Sequence, residues 1–144
     1  MRLSLLGAGV VLFLAISFLL ARFLQTENVE RDAIFTLLQH EARGDAAGML
    51  SRLDACAQRP SCRATVLADA RSLRRPGDVK ILNVSSHTAY TLTSATGVTR
   101  VAWAVPTRLP VVQCVLVHRE GSFFTGFSVH LLSVSAPIPG TSTC

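Results

Sequence analysis

The chain has 144 residues, a formal net charge of +5 and 49% hydrophobic residues. An apolar amino-terminal stretch leaves enough chain for one domain with its own core and too little for two. The most basic region has no interleaved aromatic side chains, which argues against a nucleic-acid-binding surface. The sequence has no nucleophile elbow, phosphate-binding loop or dinucleotide-binding fingerprint, so it indicates no common enzyme class.

The uncharged stretch at residues 3–21 is the strongest signal in the sequence. As a helix it would be about 28 Å long, close to the roughly 30 Å of hydrocarbon in a bilayer. We therefore predict a transmembrane anchor that contacts the lipid bilayer over residues 3–24. The alternative is a cleaved signal peptide, but the apolar run is long and no clear small-x-small cleavage motif follows it.

Four cysteines, Cys56, Cys62, Cys114 and Cys144, all follow the apolar stretch. Their spacing matches no common set of zinc ligands, and an even number of cysteines is typical of small disulfide-bonded domains outside the cytosol. We predict that Cys56 pairs with Cys62 across a corner between helices, and that Cys144 ties the tail to Cys114. The domain is then expected on the outer side of the cell membrane, or secreted if the amino-terminal stretch is cleaved.

Helical periodicity dominates the first part of the domain. Apolar residues at spacings of three and four predict a helix over 27–43, with Glu30 among the residues on its solvent face. A second helix is predicted over 45–53, and Asp45 is suited to cap its start. A third helix is predicted over 61–73.

After residue 78 the sequence changes to β-branched residues separated by turn signals, which is typical of an antiparallel meander. The predicted strands are 79–85, 88–94, 98–105, 111–119 and 123–135. We expect a hairpin turn at Ala95-Thr96-Gly97 and a second turn at Glu120-Gly121-Ser122. The second turn would place His118 and His130 out of direct opposition.

Helices followed by hairpin-linked strands indicate an α+β fold, with about three helices on an antiparallel sheet of four to five strands. The domain would span residues 26–138, between an anchor at 1–25 and a tail at 139–144. Residues 44–50 (GDAAGML), 109–115 (LPVVQCV) and 126–133 resemble small membrane-anchored bacterial, including actinobacterial, members of the nuclear-transport-factor-two-like, cystatin-like superfamily. That resemblance implies a cone-like curved sheet around the first helix, with a pocket used for catalysis, ligand binding or partner docking.

A pocket of this kind would hold something flat and apolar. The residues predicted to line it are Tyr90, Trp103, Gln113, Phe127 and His130. Isomerase or dehydratase chemistry there would need an inward carboxylate or histidine base. Because the predicted strands carry carboxylates only at their turns, we predict no catalytic residue, no cofactor and no metal.

Two functions follow from these patterns. The first is a noncatalytic interaction or scaffold domain, tethered to the membrane and docked on another protein of the cell envelope. The alternative is a domain that binds or isomerises a small hydrophobic ligand in the cone pocket. An open cavity with a titratable group at its floor would favour the alternative.

Overall fold

A computed structural model describes residues 2–88, 94–122 and 126–144, without the side chains of residues 2–8, 22–26 and 122. Within these ranges the chain is an α+β structure with an antiparallel sheet, as predicted. The helices are α1 (Arg2–Arg43), α2 (Ala46–Arg52), a 3₁₀ helix (Cys56–Gln58) and α3 (Pro60–Ser72). The strands are β1 (Lys80–Ser86), β2 (Ser94–Ala104), β3 (Val111–Ser122) and β4 (Gly126–Val134).

Helix α1 is continuous from the apolar amino-terminal stretch into the domain. The boundary predicted after residue 25 is therefore not a break in the backbone helix. The side chains of residues 9–21 are exposed apart from half-buried Ser17, whereas Ile34, Leu37 and Leu38 are completely buried. Across the side chains that the structure describes, no helix is both long and apolar enough to cross a membrane.

Each strand of the sheet pairs with the next strand along the chain. Side chains alternate between the two faces of a strand, and along β3 the odd-numbered residues from Val111 to Arg119 are buried. These residues form the inner face of the sheet, which packs on the helices. The even-numbered residues of β3 therefore form the outer face, where Cys114 and His118 are half-buried.

Helix α2 begins after its predicted cap, and α3 begins one residue before its predicted start. Asp45 caps α2 by accepting a hydrogen bond from the backbone N–H of Gly48 at 2.9 Å. Helix α3 has Pro60 at its first position, where the missing N–H costs nothing because no intrahelical partner exists for it.

The hairpin turn predicted at Ala95-Thr96-Gly97 is wrong. These residues belong to β2, and Gly97 lies opposite Val117 of β3. A Cβ atom on Gly97 would overlap the Cα atom of Thr88, so this glycine permits a close backbone approach within a strand. Most of the strand predicted over 88–94 lies outside the described residues.

The second predicted turn, at Glu120-Gly121-Ser122, is also wrong because β3 continues through it. Gly121 has φ of +142° and a Cβ atom there would overlap the carbonyl oxygen of Gly126, so only glycine suits this position. The longer strand changes the register of the hairpin. His118 is now directly opposite His130, contrary to the prediction.

Both predicted disulfides are present. Cys56 and Cys62 close the corner between α2 and α3, and Cys114 and Cys144 join β3 to the carboxyl-terminal tail. The guanidinium of Arg100 also holds the tail, because it donates hydrogen bonds to the carbonyl oxygens of Ser142 (3.0 Å) and Gly140 (2.5 Å). Residues 139–144 therefore lie over the outer face of the sheet.

Candidate functional site

Helix α1 carries two carboxyl groups into the interior of the domain. Glu30 is 2% exposed and Glu41 is completely buried. The prediction that Glu30 faces solvent is wrong, and the expectation that inward carboxylates are missing considered only the strands. Glu30 lies four residues before Ile34, and Glu41 lies four residues after Leu37. Both therefore continue the apolar stripe of the helix, a spacing that the sequence already contains.

Glu30 forms a buried ion pair with Arg119 of β3. The Nε and Nη2 atoms of Arg119 donate to Oε2 of Glu30 at 2.8 and 2.5 Å. The hydroxyl of Thr99 donates to the other carboxylate oxygen at 2.5 Å. Ser86 Oγ accepts from Arg119 Nη2 at 3.2 Å, and its own hydroxyl can donate to Thr99 Oγ1 at 3.2 Å, because the single Thr99 hydrogen is used on Glu30. The carboxylate thus joins α1 to strands β1, β2 and β3 by charge-assisted hydrogen bonds.

Glu41 lies in a second buried polar cluster, on the same side of the sheet. Gln113 Nε2 donates to Glu41 Oε1 at 2.7 Å and to the carbonyl oxygen of Ser135 at 3.1 Å. Trp103 Nε1 donates to Gln113 Oε1 at 2.8 Å. The second carboxyl oxygen of Glu41 has no hydrogen-bond partner among the described atoms. The cluster fixes the rotamers of Trp103 and Gln113 inside the core.

Burial controls the protonation of this second cluster. Loss of solvation raises the pKa of Glu41 to about 8, opposed by the hydrogen bond from Gln113 and reinforced by the charge of Asp69. Burial also raises the pKa of Asp69 to about 6. Near neutral pH the Glu41 carboxyl is therefore mostly neutral, which lowers the cost of keeping it in the core.

Of the five residues predicted to line a pocket, the structure places only two in contact with each other. Trp103 and Gln113 are bonded to each other and completely buried. Phe127 is half-buried and lies on the inner face opposite Gly121, at the far end of β3, whereas His130 lies on the outer face. Tyr90 lies outside the described residues.

His130 belongs instead to a polar cluster on the outer face. Its Nδ1 is 2.6 Å from Oδ2 of Asp54, and its Nε2 is 3.2 Å from Oγ of Ser128. Asp54 reaches this position because the corner after α2 runs beside β4, where Leu53 bridges Leu131. The opposite histidine, His118, has its Nδ1 2.7 Å from Oγ1 of Thr96.

A groove of about 190 Å³ adjoins the Asp54 and His130 pair. It lies where α1, α2 and the corner after α2 meet strand β4. Its lining combines polar and apolar side chains, namely those of Ala33, Ser51, Arg52, Asp54, Val129, His130 and Leu131. The candidate functional site is this groove together with the polar cluster of His130, Asp54 and Ser128.

The chain of contacts from Ser128 through His130 to Asp54 has the same residue types as the nucleophile, base and orienting acid of acyl-transfer enzymes. The serine is not activated, however, because its hydroxyl donates to the carbonyl oxygen of Glu120 at 3.0 Å. The Oγ atom can then only accept a hydrogen bond from His130. The side chains of His130 and Asp54 are also 40% and 55% exposed, so water screens their interaction. The arrangement suits binding better than nucleophilic catalysis.

Comparisons of the chain with family models, with curated proteins and with solved structures gave no match. The resemblance to the nuclear-transport-factor-two-like superfamily therefore stays a prediction.

The ion pair between Glu30 and Arg119 predicts an asymmetric mutational response. Arg119→Met leaves a buried carboxylate without its cation and should lower the free energy of unfolding by about 3 to 5 kcal/mol. Glu30→Leu combined with Arg119→Met should lose less, because no charge is left unpaired. The measurement is urea denaturation of the full chain in detergent, followed by the fluorescence of Trp103, the single tryptophan.

Arg63→Met on the exposed face of α3 is the matched control, and it should change the unfolding free energy by no more than about 0.5 kcal/mol. Equal losses for Arg119→Met and the double variant would show that the buried charge is not the source of the effect.

The raised pKa of Glu41 predicts a stability that falls as pH rises. Between the ordinary value of 4.5 and about 8 the folded chain binds more protons than the unfolded chain, so each pH unit should cost up to about 1.4 kcal/mol. Glu41→Gln keeps the hydrogen bond from Gln113 and cannot ionise. Urea denaturation between about pH 6 and pH 8 should show a falling stability for the natural chain and a much flatter profile for the variant. The same slope in both would mean that another group titrates.

Proposed function

We propose that the chain is a noncatalytic, membrane-tethered interaction domain located outside the cytoplasm. In this proposal residues 3–24 of α1 lie in the lipid bilayer, and the domain docks on another protein of the cell envelope. The observation that carries the proposal is the continuity of α1, which joins an exposed apolar stretch to a buried core without a break.

The exposed half of α1 has the character of a lipid-facing surface. Four consecutive residues, Val11, Leu12, Phe13 and Leu14, are between 59% and 69% exposed. Since successive helical residues are about 100° apart, these four side chains project in nearly all directions. A helix that is apolar on every side is typical of a membrane span or of the core of a large protein. A bilayer would cover this surface.

The distance between the proposed anchor and the first buried contact is short. Glu30 follows residue 24 by six positions, which is about 9 Å along the helix. The domain would therefore lie close to the membrane surface, in an orientation set by a rigid helix. This geometry favours a partner that is itself at the membrane.

The two disulfides support the proposed location. They occupy all four cysteines of the chain, as expected for a protein that folds in an oxidising compartment.

We also propose that the α+β structure is a variant of the cone-like fold, because a helix with an inward apolar stripe packs on an antiparallel meander. The alternative function is ligand binding in a cone pocket. Trp103 and Gln113 do not support it, because these two side chains are hydrogen-bonded to each other and completely buried in the core.

A topology experiment tests the proposal. The variant Leu109→Cys adds a thiol at a side chain that is 83% exposed. In intact bacteria carrying the full chain, a membrane-impermeant maleimide should label this thiol, and the protein should resist alkaline extraction from the membrane fraction. Leu12→Lys combined with Leu14→Lys should abolish membrane retention, because each lysine costs about 2.5 to 3.5 kcal/mol near the middle of a span.

The matched control is Leu12→Ala combined with Leu14→Ala, which keeps the stretch apolar and should stay in the membrane. Labelling only after lysis, or release of the natural chain as a soluble protein, would contradict the proposal. Crosslinking in the same cells then tests docking: a reproducible adduct with one envelope protein supports it, and an unmodified chain under all crosslinkers contradicts it.

A further inference from the structure

His118 and His130 occupy directly opposite positions on neighbouring antiparallel strands. Both side chains project from the outer face of the sheet, since the alternate residues Val117 and Arg119 point inward. Cβ atoms of directly opposite residues are about 4.5 to 5.5 Å apart, a separation that lets two imidazole rings reach one ion. We propose that His118 and His130 bind a divalent transition-metal ion, of the group Cu²⁺, Ni²⁺ and Zn²⁺, through their Nε2 atoms. This inference does not depend on the proposed function.

Each ring has an oxygen partner at its Nδ1 atom. Nδ1 of His118 is 2.7 Å from the hydroxyl oxygen of Thr96, and Nδ1 of His130 is 2.6 Å from a carboxylate oxygen of Asp54. Histidines that bind metals usually donate their second ring N–H to a carboxylate or another oxygen, which fixes the tautomer and the ring orientation. Thr96 and Asp54 can supply these oxygens, and each ring then has Nε2 as its ligand atom.

In the metal-free chain Nε2 of His130 donates to Ser128 Oγ at 3.2 Å, so metal binding has to break this hydrogen bond. The serine hydroxyl keeps its hydrogen bond to the carbonyl oxygen of Glu120 when the imidazole turns its lone pair to an ion. The ion displaces the Nε2 proton into solvent, as metal binding to histidine requires.

Glu120 can complete the ligand set. It lies two residues after His118, therefore on the same face of β3, and its side chain is exposed. In the described part of the chain no three histidine, cysteine or acidic side chains already converge on one point. The proposed site consequently has two histidines at directly opposite positions, with Glu120 and water filling the other positions. Imidazole nitrogen with carboxylate oxygen suits Cu²⁺, Ni²⁺ and Zn²⁺.

The other histidines provide an internal comparison. His40 has its Nδ1 2.8 Å from Asp45, but it lies on α1 and its neighbour in that contact is the cap of α2. His87 is exposed and follows the end of β1. Neither belongs to a cross-strand histidine pair among the described strands. His87 is therefore the matched control for a surface histidine.

Isothermal titration of the full chain tests the proposal. The protein is kept in detergent micelles with both disulfides oxidised and without a polyhistidine tag, and CuCl₂, NiCl₂ or ZnCl₂ is titrated in a buffer that does not chelate metals. We expect one equivalent of metal per chain. His118→Ala and His130→Ala should each weaken binding at least about tenfold, and Asp54→Asn should weaken it about 10-fold to 100-fold through loss of ring orientation.

Glu120→Gln should weaken binding without changing the stoichiometry, and His87→Ala should leave the affinity unchanged. The fluorescence of Trp103 checks that each variant is folded. The proposal is overturned if folded His118→Ala and His130→Ala bind as tightly as the natural chain, or if His87→Ala weakens binding as much as they do. An absence of any binding by the natural chain overturns it as well.

Discussion

Two buried polar contacts hold helix α1 against the sheet and fix its position there. Glu30 binds Arg119, and Glu41 binds Gln113. The two glutamates are about 16 Å apart along the helix, and their partners are about 20 Å apart along β3. The glutamate nearer the start of α1 contacts the residue nearer the end of β3, so α1 runs antiparallel to β3. Apolar packing alone would permit sliding, whereas two polar contacts with fixed partners specify one register.

Burying an ion pair costs desolvation free energy. In other proteins, replacing such a pair by apolar side chains is often neutral or stabilising. In this domain the pair joins α1 to three strands at one position. The covalent bonds have a complementary role, because one disulfide closes the corner between α2 and α3 and the other holds the tail over the sheet. The carboxyl-terminal tail thus covers one end of the outer face, and His118 and His130 lie at the other end.

Local signals in the sequence were sufficient for the order of the helices, the cap at Asp45, the antiparallel meander and both disulfides. They were insufficient at Gly97 and Gly121, because a glycine that admits a neighbouring backbone resembles a glycine that makes a turn. The error at Gly121 also changed the predicted register and concealed the opposition of His118 and His130. The inward orientation of Glu30 was missed because a charge on a helix normally faces water, and its partner Arg119 is 89 residues away.

The distance between two spin labels across the middle of α1 tests the central claim that one unbroken helix joins the apolar stretch to the domain. Labels at Leu12→Cys and Asp32→Cys, attached to the full chain in lipid nanodiscs with its disulfides intact, should give a single narrow distribution near about 30 Å in pulsed electron resonance. Insertion of three glycines after residue 24 should broaden it. A broad or shorter distribution in the chain without the insertion would contradict the continuous helix and the rigid attachment derived from it.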